Sequence, residues 1–133
     1  MSQENVEVVR QVVQAFNRRD LAAMTERFDP DIDWTPGGPA AVERGVYRGR
    51  EEVSGGFADT WEAWEVFVLE EDEVRDLDEA ILWLGRTRLR GGASHVELDE
   101  EFGILLGLRG GRIVLMRGFV GRQQALEAAG LSE

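Results

Sequence analysis

Few kinds of side chain in this sequence can move a proton. Its 133 residues contain one His, one Tyr and no Cys, and all 15 basic residues are Arg. Without Cys there is no thiolate nucleophile, no disulfide and no thiolate-ligated metal. Without Lys there is no Schiff base and no P-loop lysine. A lone His cannot supply a three-His zinc site. Acid–base work therefore falls to the carboxylates, His95 and Tyr47.

Each candidate has a chemical reading and a plain one. Asp33 stands beside Trp34 near the mouth of an expected cone, as a candidate base; the plain reading turns Trp34 in and Asp33 out. His95 alone titrates near neutrality in its ordinary state, so it is a general base if it faces inward and idle if it merely opens a strand after a glycine turn. Glu97, Asp99 and Glu101 alternate and share one face of a regular strand. Facing an apolar interior, one of them would stay protonated or pair with Arg and act as a general acid. Facing out, they are a solvated strand surface, because Val96, Leu98, Phe102 and Ile104 take the other parity. A bulge between Glu100 and Phe102 would break that parity. The order of candidates for the acid–base group is Asp33, His95, Glu101, with Tyr47 as a hydrogen-bond donor to a carbonyl or oxyanion.

Binding candidates are aromatic. Trp34, Trp61, Trp64 and Trp83 suit a hydrophobic or ring-shaped ligand, and equally an ordinary core. The expected walls are Trp34, Phe57, Trp61, Trp83, Ile104, Met116 and Phe119. The acidic run Glu70-Glu71-Asp72-Glu73 lacks the glycine and spaced acids of a calcium loop, and is expected as a solvated strand end guarding a sheet edge. Arg86, Arg88 and Arg90 share a face with Leu82 and Leu84, which would be the outer face of a sheet.

The elements that must carry these groups follow from periodicity. Val6, Val9, Val13 and Phe16 recur at helical spacing, and Asn17-Arg18-Arg19 ends that helix. Asp20 is the N-cap of a short second helix with Leu21, Met24 and Phe28 on one face, stopped by Asp29-Pro30. Ile32 and Trp34 alternate with polar residues in a short strand. A third helix follows Gly49, with Val53, Phe57, Trp61 and Trp64 in one stripe, and its Gly55-Gly56 pair implies close packing. The second half is a meander: strands from Val66 to Arg75, Ala80 to Arg90, His95 to Leu108 and Arg112 to Val120, divided by glycine or Asp-rich turns. A last helix, about Gln123 to Ala129, ends at Gly130. Helices followed by strands mean α+β, here a single domain over residues 1–133 in which helices on a strongly curved antiparallel sheet enclose a cone.

Composition narrows partners. A formal net charge of −11 opposes nucleic acid and anionic membranes. The opening MSQENVEVVRQ lacks a basic segment followed by an apolar run, and no stretch approaches a membrane span, so a cytoplasmic protein is expected.

Five segments resemble the SnoaL-like branch of the nuclear transport factor 2-like superfamily. They are Phe16-Asn17-Arg18-Arg19-Asp20-Leu21, Asp29-Pro30-Asp31-Ile32-Asp33-Trp34, Tyr47-Arg48-Gly49-Arg50-Glu51, Arg109-Gly110-Gly111-Arg112-Ile113 and Gln124 to Leu131. That superfamily includes polyketide cyclases, ketosteroid isomerases, scytalone dehydratase and limonene epoxide hydrolase. The resemblance implies a cone binding a small hydrophobic molecule, cofactor-free isomerisation, cyclisation, dehydration or hydrolysis, and a homodimer through the outer sheet face. It also shows which family groups are missing. The His and acid that such cyclases place across the cone correspond to Ile104 and Gly118. An acid common in uncharacterised relatives corresponds to Gly121, and the isomerase base to Thr35 before Pro36. Asp33 resembles that base in general location, though not in register. The isomerases' first-helix Tyr has no counterpart. Rival readings are a non-catalytic binding module and a structural dimer whose core is filled. A carboxylate or imidazole inside the cavity would favour the enzyme.

Overall fold

The computed structural model describes residues 2–37, 45–92 and 96–131. Its elements run α1 (Ser2–Asn17), α2 (Leu21–Thr25), β1 (Phe28–Thr35), β2 (Tyr47–Arg48), α3 (Gly49–Ala63), β3 (Val66–Asp76), β4 (Ala80–Arg90), β5 (Glu97–Arg109), β6 (Arg112–Val120) and α4 (Arg122–Ala128). The strands form one unclosed sheet in the order β2-β1-β6-β5-β4-β3. All neighbours are antiparallel except β1 and β6, which run parallel.

The sheet has an inner and an outer face, set by alternation. On β4 the odd residues Ile81, Trp83 and Leu89 join the main core with α1 and α3. The even residues Leu82 and Leu84 join a second cluster with Ala125 and Leu126 of α4. Helices therefore cover both faces. Each large apolar side chain fully buried in these layers contributes about 1.5–3 kcal/mol before entropy is counted. No helix among the described residues is long and apolar enough to cross a membrane.

Phe28 departs from expectation. It opens β1 instead of closing α2, and it is wholly buried beside Ile113. Pairing with β6 overrides the helical spacing from Leu21 and Met24, and carries the strand through Pro30, whose side chain is exposed.

Polar side chains at and beside the helix ends cap the helices and tie the layers together. Asp20 caps α2 by accepting the Ala23 N–H at 3.1 Å. Asn17 behaves like an extra strand residue: its amide donates to the Leu69 carbonyl and accepts the Leu69 N–H, both at 2.9 Å. Arg19, at φ 58°, donates to the carbonyls of Trp61, Trp64 and Glu65 at 2.8–3.0 Å, closing the C-terminal end of α3. Arg50 donates to the Phe28 carbonyl at 2.8 Å. At the end of α4, Gly130 adopts φ 76°, and the N–H groups of Gly130 and Leu131 bond the Glu127 and Leu126 carbonyls, as a Schellman stop requires.

Candidate functional site

The cone encloses a cavity of about 60 Å³. Val12, Val13 and Phe16 of α1, Met24 of α2, and Phe57 and Thr60 of α3 form its helical wall. The sheet contributes Trp34, Phe67, Leu69, Phe102, Ile104, Leu106, Met116 and Gly118, and Pro36 and Gly37 flank one end. Pockets for drug-sized ligands run roughly 300–1,000 Å³, so this space suits only a compact molecule, and side chains must give way for one the size of a cyclopentane ring.

An aromatic stack builds the wall nearest α3. Tyr47, Trp34 and Phe57 lie face to face, with ring centroids 5.0 Å apart in the first pair and 4.1 Å in the second. Gly56 makes that stack possible. A Cβ there would sit 2.8 Å from Trp34 Cζ3 and 2.9 Å from Tyr47 Cε2. Gly55, by contrast, faces open space.

Of the expected walls, Trp34, Phe57, Ile104 and Met116 line the cavity. The other three do not. Trp61 backs Phe16 and Phe57 from behind. Trp83 is wholly buried on the inner face with its indole folded over Gly85. Phe119 has outer parity, packs in the α4 cluster and carries the Arg117 guanidinium 5.5 Å above its ring.

The proton-handling candidates are not brought together. Asp33 lies between buried Ile32 and Trp34, so it points to the outer side, where Arg48 approaches to 3.9 Å. Glu101 is exposed on the outer face opposite Arg86, as regular pairing from Arg90 to Ala80 dictates. Tyr47 is buried behind Trp34 as part of the stack. His95 lies outside the described residues. No bulge interrupts the β4–β5 register, so Glu100 is the β5 acid with inner parity; it is half-buried opposite Thr87 and does not line the cavity. Trp61 Nε1, Trp83 Nε1 and Thr87 Oγ1 are buried without a partner among the described residues.

The two positions corresponding to the cyclase His and acid do meet. Ile104 and Gly118 are direct partners across β5 and β6, and both line the cavity. Space for an acid at 118 is already taken. A Cβ on Gly118 would lie 2.9 Å from both Gly37 N and Phe102 Cζ. Val12, Val13, Phe16, Met24, Thr60, Phe67, Leu69, Phe102 and Leu106 line the cavity without having been expected as walls, and of these Thr60 is the polar one. Its position four residues after the close-packed Gly56, inside the Phe57–Trp61 stripe, is the signal that could have found it.

The remaining charged groups serve the scaffold. On the outer face Arg86 pairs with Asp99 at 2.7 Å, Arg88 with Glu70 at 3.6 Å and Arg90 with Glu65 at 3.2 Å. Their partners thus come from this chain. The Asp31 N–H holds the Asp29 carboxyl below the usual carboxylate range; Arg109 adds to this and burial opposes it. Among the described residues no cluster of acids and imidazoles has the arrangement of a metal site.

Helices against a curved, unclosed and mostly antiparallel sheet define a protein of the nuclear transport factor 2-like α+β class. Residues 9–116 match the SnoaL-like domain. An uncharacterised protein of Mycobacterium tuberculosis is 32% identical over 127 residues, covering 93% of this chain and 94% of its own length. Bal32a, from a soil-derived mobile gene cassette, is 26% identical with a TM-score of 0.80, over 93% of this chain and 94% of that one. TerC, co-crystallised with polyporic acid, shares the fold at 14% identity and a TM-score of 0.77, over 89% of this chain and 92% of that one. The chain belongs to the SnoaL-like family.

Proposed function

We propose that this chain binds a small, uncharged apolar molecule in the cone and moves no proton on it there. The observation that carries this reading is the Ile104–Gly118 pair: neither residue titrates, and the described lining holds no carboxylate or imidazole. An apolar site with few polar atoms is also the usual chemistry of small-molecule pockets. Cyclopentane, followed by methyl NMR and thermal unfolding, tests the reading. Shifts at the Ile104 and Met116 methyls are expected. Stability should rise by about 2.7 kcal/mol at 100 times the dissociation constant.

The size of the cavity, about 60 Å³, favours a second reading in which the cone is a filled structural core. No methyl shift and no stabilisation with any small hydrocarbon would select it. Under both readings we propose a homodimer paired through the outer sheet face, where Leu105, Leu115 and Phe119 are half-buried. Sedimentation should then show a dimer that Leu115→Glu converts to a monomer. A wild-type monomer at every concentration would defeat that proposal.

A further inference from the structure

We infer that the cone prefers ligands carrying one hydrogen-bond donor, and that Thr60 receives it. This rests on the proposed binding of a small apolar molecule, and names the class of that molecule. Thr60 is 6% exposed and supplies the only side-chain oxygen among the described residues that line the cavity. Its hydroxyl donates to the Gly56 carbonyl at 2.9 Å. A hydroxyl has one proton to give and two lone pairs to offer. With the proton committed along the helix, what Thr60 presents to a ligand is an acceptor.

That acceptor is held in place by the packing around it. Gly56 fits against Trp34 and Tyr47 with no room for a Cβ, so this turn of α3 is seated on the aromatic stack. The Thr60 side chain is tied to that same turn. A ligand O–H or N–H loses water on entering an apolar cavity, and the loss is costly unless a partner replaces it. Thr60 offsets it for a donor. It does nothing for a ketone or ether oxygen, and a hydrocarbon has no use for it. The class of ligand is therefore a compact alcohol or N–H compound with an apolar body.

Three probes of nearly equal shape separate these cases: cyclopentanol, cyclopentanone and methylcyclopentane. Their affinities are measured by methyl NMR titration of the wild type, Thr60→Val and Thr60→Ser, with the amide spectrum reporting the fold of each variant. Thr60→Val should weaken cyclopentanol about 2- to 10-fold, the range of one net hydrogen bond, and leave the other two unchanged. Thr60→Ser keeps the oxygen and should keep the alcohol's affinity. In the wild type, the Thr60 methyl should shift further with cyclopentanol than with cyclopentanone, an observation that needs no variant. If Thr60→Val weakens all three alike or none, the inference falls while binding in the cone stands. If no probe binds the wild type, both fall.

Discussion

Glu71 and Glu73 are two residues apart on β3 and face opposite sides of the sheet. In a regular strand they would share a face. A bulge between them adds one residue and reverses the parity: Glu71 pairs with Gly85 and Glu73 with Leu84. Glu71 then accepts both guanidinium bonds of Arg10 on α1, at 3.0 and 3.2 Å. Glu73 accepts from Arg122 on α4 and from Arg75, each at 2.7 Å. The acidic run thus anchors a sheet edge to the helices on both faces. Gly85 is the residue that lets the bulge fold down, since a Cβ there would collide with the Glu70 carbonyl.

This clamp makes the docking of α4 depend on pH. The hydrogen bonds from Arg122 and then Arg75 hold the Glu73 carboxyl below the ordinary range. A carboxyl lowered on folding contributes stability that is fully present above its unfolded pKa, about 4.3 for Glu, and is lost as pH falls through the folded value. Protection factors of α4 amides should therefore drop several-fold between pH 6 and 3, ahead of β5. Glu73→Gln should flatten that dependence. Unchanged α4 protection across the range would show that other contacts hold the helix.

The paired glycines of α3 should respond in opposite directions to the same change. Gly56→Ala forces a methyl against Trp34 and Tyr47, and overpacking of this kind costs about 1–3 kcal/mol. Gly55→Ala meets nothing and should gain up to about 1 kcal/mol in helix propensity. Urea unfolding midpoints on the two variants test this. Equal shifts would mean that the stack yields readily.

Asn17→Ala removes both bonds to Leu69 at the free edge of β3. With each net bond worth about 1 kcal/mol, a loss of about 1–2 kcal/mol is expected. The Leu69 amide should exchange faster in the variant. A stability change near zero would show that water replaces the side chain without loss.

Gly118→Ala should cost about 1–3 kcal/mol, because the new methyl displaces Gly37 or Phe102. Gly118→Asp should cost more, and should not by itself create proton-transfer activity, since its strand partner remains Ile104. Wild-type stability in Gly118→Ala would mean that the segment after β1 moves aside freely.

The scaffold was easier to foresee than the site, for a physical reason. Asn17, Arg19, Asp20 and Arg50 sit in the segments that carried the family resemblance; Asn17, Arg19 and Arg50 each bond a backbone group of another element, and Asp20 caps the helix that follows it. Such residues announce a fold because any chain with that fold must satisfy the same carbonyls and N–H groups. Alternation likewise placed Trp34 inward, Glu101 outward, and Arg86, Arg88 and Arg90 on the outer face. Alternation says nothing about depth. Trp83 and Ile104 are cross-strand partners on the inner face, yet only Ile104 reaches the void, because the Trp83 indole bends over Gly85. Thr60 escaped notice because a threonine beside an apolar stripe is unremarkable until the space in front of it is seen. Phe28 was misplaced because its partner, Ile113, is far along the chain.

That last pairing also bears on how the chain comes to fold. β1 lies between the two-residue β2 and β6, and β6 is the last strand of the sequence. Until β6 exists, β1 has only that short ribbon to hold it, and α3, which packs on β1, has no firm floor. A nascent chain can lay down the β3–β4–β5 meander from neighbours in sequence. Its N-terminal helices and β1 must wait for β6, far along the chain. Contacts of such long sequence separation slow folding. The topology therefore predicts that β1 seats late against β6 and that the cavity is completed in that step; amides of β1 gaining protection before those of β4 in pulsed hydrogen exchange would refute this.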